Sequence, residues 1–263
     1  MFTENPKNNS YLFERSGASK WDVKVEKFNL GSFLKDKNLG FVDGIFFLSG
    51  EAFSVSDIRF SSIEGKVNRF DYLKYPYKNI SIIDGSLEDK IFKGKIDVAD
   101  DNLEMAYSGM IDFQGEPHLL FTVKIGNAVL DQLNFTEQKT ELSSVFTIDL
   151  RGKNPSNFRG TVFMDSFSLT GHGKTFEIPS LELEITRGSE MDEFRIESDI
   201  AHGTLKGKLD FNYIISDLNY QLSRAFPAYY IEKLVKRDEG KVNNFEFDFE
   251  INEADDLMAV FFP

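Results

Sequence analysis

The chain has 263 residues, with 30 Lys and Arg against 43 Asp and Glu, a net charge of −13 and no cysteine. The acidic balance argues against a nucleic-acid partner, since phosphate binding needs clustered cations, and against purely electrostatic attachment to anionic lipid. Disulfides, thiolate metal sites and Cys nucleophiles are excluded, and no stretch approaches the roughly eighteen apolar residues of a spanning helix.

Residues 1–20, "MFTENPKNNSYLFERSGASK", are polar and lack the apolar stretch of a signal peptide. They read as a flexible N-terminal segment. The chain is therefore expected to be cytosolic, or an internal piece of a longer anchored protein. From residue 21 to 215 the dominant signal is period-two alternation, the mark of strands with one apolar face. Val23 and Val25 begin it. In "IFKGKIDVADDNLEMAYSGMIDF" (91–113), Phe92, Ile96 and Val98 share a face, as do Leu103, Met105, Tyr107, Ile111 and Phe113. The pattern continues through Leu119, Phe121, Val123 and Ile125, then Phe146, Ile148 and Leu150, then Phe158, Val162 and Met164. Leu181, Leu183, Ile185, Phe194 and Ile196 follow, then Leu205, Leu209 and Phe211.

Turn residues separate these runs at Asp84-Gly85, Asp100–Asn102, Gly115–Pro117, Gly152–Ser156, Gly171–Gly173 and Arg187–Ser189. Strand, turn and strand in succession predict a long antiparallel meander. Helical signals are few. Residues 29–37 and 126–135 each suit about one turn. Residues 216–240 suit a short helical insertion, with Ser216 as N-cap and Pro227 as a stop. Residues 241–263 return to alternation at Phe245, Phe247, Phe249 and Ile251.

A glycine recurs within these strands, at Gly50, Gly65, Gly94, Gly109, Gly160 and Gly207. Degenerate repeats of this kind suggest a quasi-one-dimensional architecture. Gly inside a strand marks a bulge, a bend or a close approach. If Gly65, Gly94, Gly109, Gly160 and Gly207 align across the sheet, the sheet can curl along that line into a groove.

Residues 72–113, "YLKYPYKNISIIDGSLEDKIFKGKIDVADDNLEMAYSGMIDF", resemble the repeat of TamB and other AsmA-like proteins in its Bacteroidota form: an aromatic Y-x-Y-x-N-I strand, then G-x-L, F-x-G, D-x-N-L and a final G-φ-φ-D-F. Residues 125–136 and 217–230 are similar to the family's helical stretches, and the resemblance extends over roughly residues 22–250. It implies a mainly β fold, an antiparallel sheet curled into a taco-like groove with an apolar interior. It also implies an internal segment, in the periplasm, of a protein anchored in the inner membrane. Its partners would be phospholipid acyl chains and, through the parent protein, a TamA-like barrel of the BamA superfamily, in support of outer-membrane biogenesis.

On that reading the groove is lined by Phe92, Ile96, Val98, Leu103, Met105, Tyr107, Ile111, Phe113, Phe121, Val123, Ile125, Phe146, Ile148, Leu150, Phe158, Val162, Met164, Leu205, Leu209 and Phe211. Burial stabilises an acyl chain by about 0.8 kcal/mol per methylene. A chain in a groove is then nearly as well off as in a bilayer, which suits a conduit. Two other readings remain open at this stage: a scaffold that holds unfolded barrel strands by strand addition, and a β-sandwich whose alternating faces pack on a second sheet with no ligand.

No cofactor, metal or catalytic constellation is indicated. His118, His172 and His202 lack metal-ligand spacing and read as surface or turn residues. "GHGKT" (171–175) departs from a phosphate loop at Ser168 and precedes a strand-like run, so it reads as a hairpin turn. Asp100–Asn102 lacks the calcium-loop spacing, and Asn79 and Asn134 stand in N-x-S/T patterns of little meaning. An all-β glycan enzyme would stack sugars on Trp and Tyr; here 27 Phe stand against a single Trp, Trp21.

Overall fold

A computed structural model describes residues 19–52, 58–208 and 244–251. In chain order the elements are β1 (Ser19–Asn29), α1 (Leu30–Leu34), β2 (Leu39–Ala52), β3 (Ile58–Tyr72), β4 (Tyr75–Tyr77), β5 (Ile80–Glu88), β6 (Ile91–Asp100) and β7 (Leu103–Asp112). There follow β8 (His118–Val129), β9 (Thr140–Arg151), a 3-10 turn at Pro155–Asn157, β10 (Arg159–Gly171), β11 (Lys174–Thr186), β12 (Asp192–Ser198), β13 (Ala201–Lys208) and β14 (Asn244–Ile251). All fourteen strands form one antiparallel sheet, and each lies beside its neighbours in sequence except β4, which pairs only with β3. The sheet is open, with β1 and β14 at its two ends. The expected meander is therefore present, and β14 joins it. Residues 1–18 and the expected helical insertion at 216–240 lie outside the described residues, as do Leu209 and Phe211.

The alternation sets one apolar face across the sheet. Val98 pairs with Met105 and Ile96 with Tyr107. Tyr107 pairs with Val123, Val123 with Phe146, and Phe146 with Met164. The opposite face carries the charges, with exposed pairs such as Lys95 to Asp84 and Arg195 to Glu184. Such exposed pairs add little stability, on the order of 0–1 kcal/mol each.

Several connections differ from the expectation. Asp84-Gly85 is not a turn. It is an irregularity inside β5, where register shifts between Ile83 and Ser86. Asp84 takes φ 51° there, which Asp tolerates better than most residues. Its backbone N–H donates to Glu64 and its carboxylate accepts from Lys95. The actual β5–β6 turn is Asp89-Lys90, with φ of 49° and 65°, and the β3–β4 turn is Leu73-Lys74, with φ of 49° and 67°. Two consecutive positive φ values match the twist of a tight hairpin. Neither pair includes Gly or Asn, and Asp89 alone is a turn-forming residue. The hairpin at "GHGKT" is as expected, with His172 and Gly173 between Gly171 and its partner Lys174.

The glycines do not fall on one row. Gly94 pairs with Gly109. Gly65 pairs with Ile82, whose row runs through Ile96 to Tyr107, two residues along the strand from that pair. The row of Gly109 runs through Phe121, Ile148 and Val162, so Gly160 is displaced by two residues in the same sense. The row of Gly160 runs through Ile185, Phe194 and Leu205, and Gly207 is displaced by two residues again. The glycines thus form a staircase oblique to the hydrogen-bonding rows. An oblique line is what a twisted sheet requires, because it coils about an axis tilted to its strands. Gly109 and Gly160 have φ of 157° and 126°. A Cβ on Gly109 would strike Phe121, and one on Gly160 the Asp149 carbonyl oxygen.

Candidate functional site

The apolar face behaves differently in its two halves. Between β2 and β9 it encloses a cavity of about 680 Å³. Its walls are Val42 and Phe46 of β2, Val67, Phe70 and Tyr72 of β3, Tyr77 of β4, Ile80 and Ile82 of β5, and Ile96 and Val98 of β6. Leu103 and Met105 of β7, Ile125 and Ala128 of β8 and Leu142 of β9 complete the sheet side. Only the two tyrosines bring a side-chain polar atom. Such a lining suits an apolar ligand or an apolar part of one.

The cavity is bounded at one end by the segment between β8 and β9. Leu130, Leu133 and Phe135 from that segment, together with Leu30 of α1, face it. The segment folds on itself through Leu133 N–H to the Val129 carbonyl at 3.1 Å and Phe135 N–H to the Leu130 carbonyl at 2.9 Å. It then reaches back to the β3–β4 corner. Leu133 is 1% exposed and packs with Tyr77 and Ala128. The Asn134 side chain donates to the Leu73 carbonyl at 3.0 Å, and Phe135 lies 6.3 Å from Tyr72, ring to ring. A flat sheet would separate β3 from β9 by roughly 24 Å at about 4.8 Å per strand. The contact of this strap with the β3–β4 corner therefore requires the sheet to curl toward its apolar face.

Beneath the strap, the Y-x-Y and D-x-N elements fasten β4 to the β6–β7 turn. The Tyr75 hydroxyl donates to Asp100 Oδ1 at 2.5 Å, and the Lys78 N–H donates to Asp100 Oδ2 at 2.9 Å. Asn102 donates to the Tyr75 hydroxyl at 3.0 Å. Burial, then Asp100 beside it, raises the Tyr75 phenol above its usual pKa. Asp100 is thus a tether for the corner. Asn79 also has a structural part, donating to the Ala99 carbonyl at 3.1 Å. Burial pushes the Tyr77 phenol up to about 12.

In the other half the same face is filled. Leu150, Ile185, Phe194 and Leu205 form a buried cluster with Ile148, Phe158, Val162 and Phe245 against it. Leu150 and Ile185 both pair with Gly160, which has no side chain to hold them apart. Arg187 fastens one edge, donating to the Phe158 carbonyl at 3.0 Å and to Asp192 at 2.7 Å while lying 5.0 Å over the Phe194 ring. Met164, Leu169, Phe176 and Ile178 form a second cluster, with Phe146, Leu142 and Leu181 against it.

The expected lining residues therefore divide. Ile96, Val98, Leu103, Met105 and Ile125 line the cavity. Ile148, Leu150, Phe158, Val162 and Leu205 belong to one packed cluster and Phe146 and Met164 to the other, so these contact protein rather than open space. Phe92, Tyr107, Ile111, Phe121 and Val123 share the apolar face but are not cavity walls; the Tyr107 and Phe121 rings meet at a tilt, 5.1 Å between centroids. Phe113 lies past the end of β7, is 51% exposed and is not among the cavity walls. Two hollows of about 440 and 400 Å³ open on the charged face instead, one at Gly94 and Gly109 and one at Gly160.

The sequence reading missed β2, β3, β4 and the strap as cavity walls. The strap's signal was the Leu130–Leu133 spacing within a stretch read only as a helical turn. His118 is also corrected: it is 9% exposed and bonds Asp149 at 2.7 Å, so it is neither a surface nor a turn residue. Among the described residues no group of His, Cys, Asp and Glu is placed to hold a metal ion, and no helix is long and apolar enough to cross a membrane. No family model, curated protein or solved structure matches the chain.

Proposed function

We propose that the chain is a segment of a TamB- or AsmA-like bridge protein whose apolar groove carries phospholipid acyl chains between the inner and outer membranes. What carries the reading is the cavity between β2 and β9, with a wall of aliphatic and aromatic side chains on a curled, open sheet. Acyl chains match that wall, and an open side leaves a headgroup in water. The aromatic–glycine repeat at 72–113 forms much of the wall, through Tyr72, Tyr77, Ile80, Ile82, Ile96, Val98, Leu103 and Met105. The parent protein would stand in the periplasm of a diderm bacterium and meet a TamA-like outer-membrane barrel.

Lipid extraction of the purified chain followed by mass spectrometry tests this. Phospholipid is expected at near-stoichiometric amounts, and lost in Ile96→Asp while the β-sheet circular dichroism remains. Lipid-free protein from a lipid-replete preparation would overturn it.

A further inference from the structure

We infer that the cavity receives one acyl chain at a time and measures its length, with the strap as the end stop. This rests on the proposal that the cavity receives acyl chains, and adds stoichiometry and length to it. A methylene fills nearly the volume of a liquid water molecule, about 30 Å³. A cavity of about 680 Å³ then holds about twenty such groups. That is room for about one chain of sixteen to eighteen carbons with its polar end.

Two features keep the chain from running on. At the strap end, Leu133 is buried against Tyr77 and Ala128, and Phe135 stands beside Tyr72. Toward β10, the face is occupied by the cluster of Met164, Leu169, Phe176 and Ile178, with Leu130 and Leu142 belonging to both that cluster's surroundings and the cavity wall. The space is therefore closed at the strap and toward β10.

Displacement of a fluorescent polyene fatty acid by saturated fatty acids of ten to twenty-two carbons tests this. Affinity is expected to rise about fourfold per added methylene up to about sixteen to eighteen carbons. Beyond that it should level or fall, with one chain bound per protein. Phe135 is 53% exposed, so Phe135→Ala leaves the buried packing in place. It opens the strap end and should extend the rise to longer chains. Ile125→Ala, on the sheet wall, should move the break upward by about two carbons. Lysophospholipids should break at the same length as the fatty acids. A second chain per site, an unbroken rise to twenty-two carbons in the unaltered protein, or a different break for lysophospholipids overturns the length limit and leaves acyl-chain binding standing. Failure of every probe to bind overturns both.

Discussion

The two halves of the sheet use the same alternation and end differently. From β2 to β9 the apolar face leaves a cavity beside the buried cluster of Tyr77, Ala128 and Leu133; from β9 to β13 its side chains pack into two clusters with no such cavity between them. The difference lies in what interrupts the face. In the first half the β8–β9 strap reaches the β3–β4 corner and closes one end of the cavity. In the second, Gly160 removes a side chain from the middle of a row, and Leu150 and Ile185 on either side join one buried cluster. Period two thus says which residues share a face. It does not say whether that face holds a ligand or its own side chains.

A charge placed in each half breaks the comparison most sharply. Leu150 is 7% exposed within its cluster, so Leu150→Asp should cost about 4 kcal/mol or abolish folding, because nothing apolar around it solvates a carboxylate. Ile96→Asp faces the cavity, where water can enter, and should cost less than about 2 kcal/mol while removing bound lipid. Urea unfolding of the two variants measures this, and equal losses would erase the distinction.

Gly160→Ala should have a smaller effect, about 1–3 kcal/mol, from a strained backbone and a collision with the Asp149 carbonyl. It should loosen the filled half and leave acyl-chain affinity in the hollow half unchanged, as read by hydrogen exchange and probe displacement. The smallest effect is confined to alkaline pH. Tyr77 is buried in the cavity wall, and its phenol is raised from 10.0 to about 12. The fold favours the neutral phenol, so its contribution is complete below about pH 10 and is lost as pH rises toward about 12. Tyr77→Phe should match the parent near pH 7 within about 1 kcal/mol and flatten the loss above pH 10. A parallel alkaline decline in both proteins would place the titrating group elsewhere.

Much of the fold was legible because alternation is a local property. The run Leu103–Phe113 anticipated β7, Leu103–Asp112, and the Gly171–Gly173 turn was where it was read. Register was not legible. The oblique path of the glycines depends on which residues face one another, as Gly160 faces Leu150 and Ile185, and that follows from strand pairing rather than composition. The Leu73-Lys74 turn has no Gly, Asn or Asp and was silent, and Asp89-Lys90 offered a single turn residue. Of the expected lining, Ile96, Val98, Leu103, Met105 and Ile125 were found at the cavity. Leu150 and Met164 obey the same pattern and are buried in protein clusters. Nothing in their spacing distinguishes them from the cavity walls.

Photocrosslinking with a diazirine-labelled fatty acid of about sixteen carbons, mapped by peptide mass spectrometry, reads the contrast directly. The label should fall on the cavity wall from β2 to β8 and on the strap around Leu133 and Phe135, and spare β10 to β13. Label spread evenly along the apolar face, or concentrated on the cluster around Leu150 and Phe194, would contradict the account.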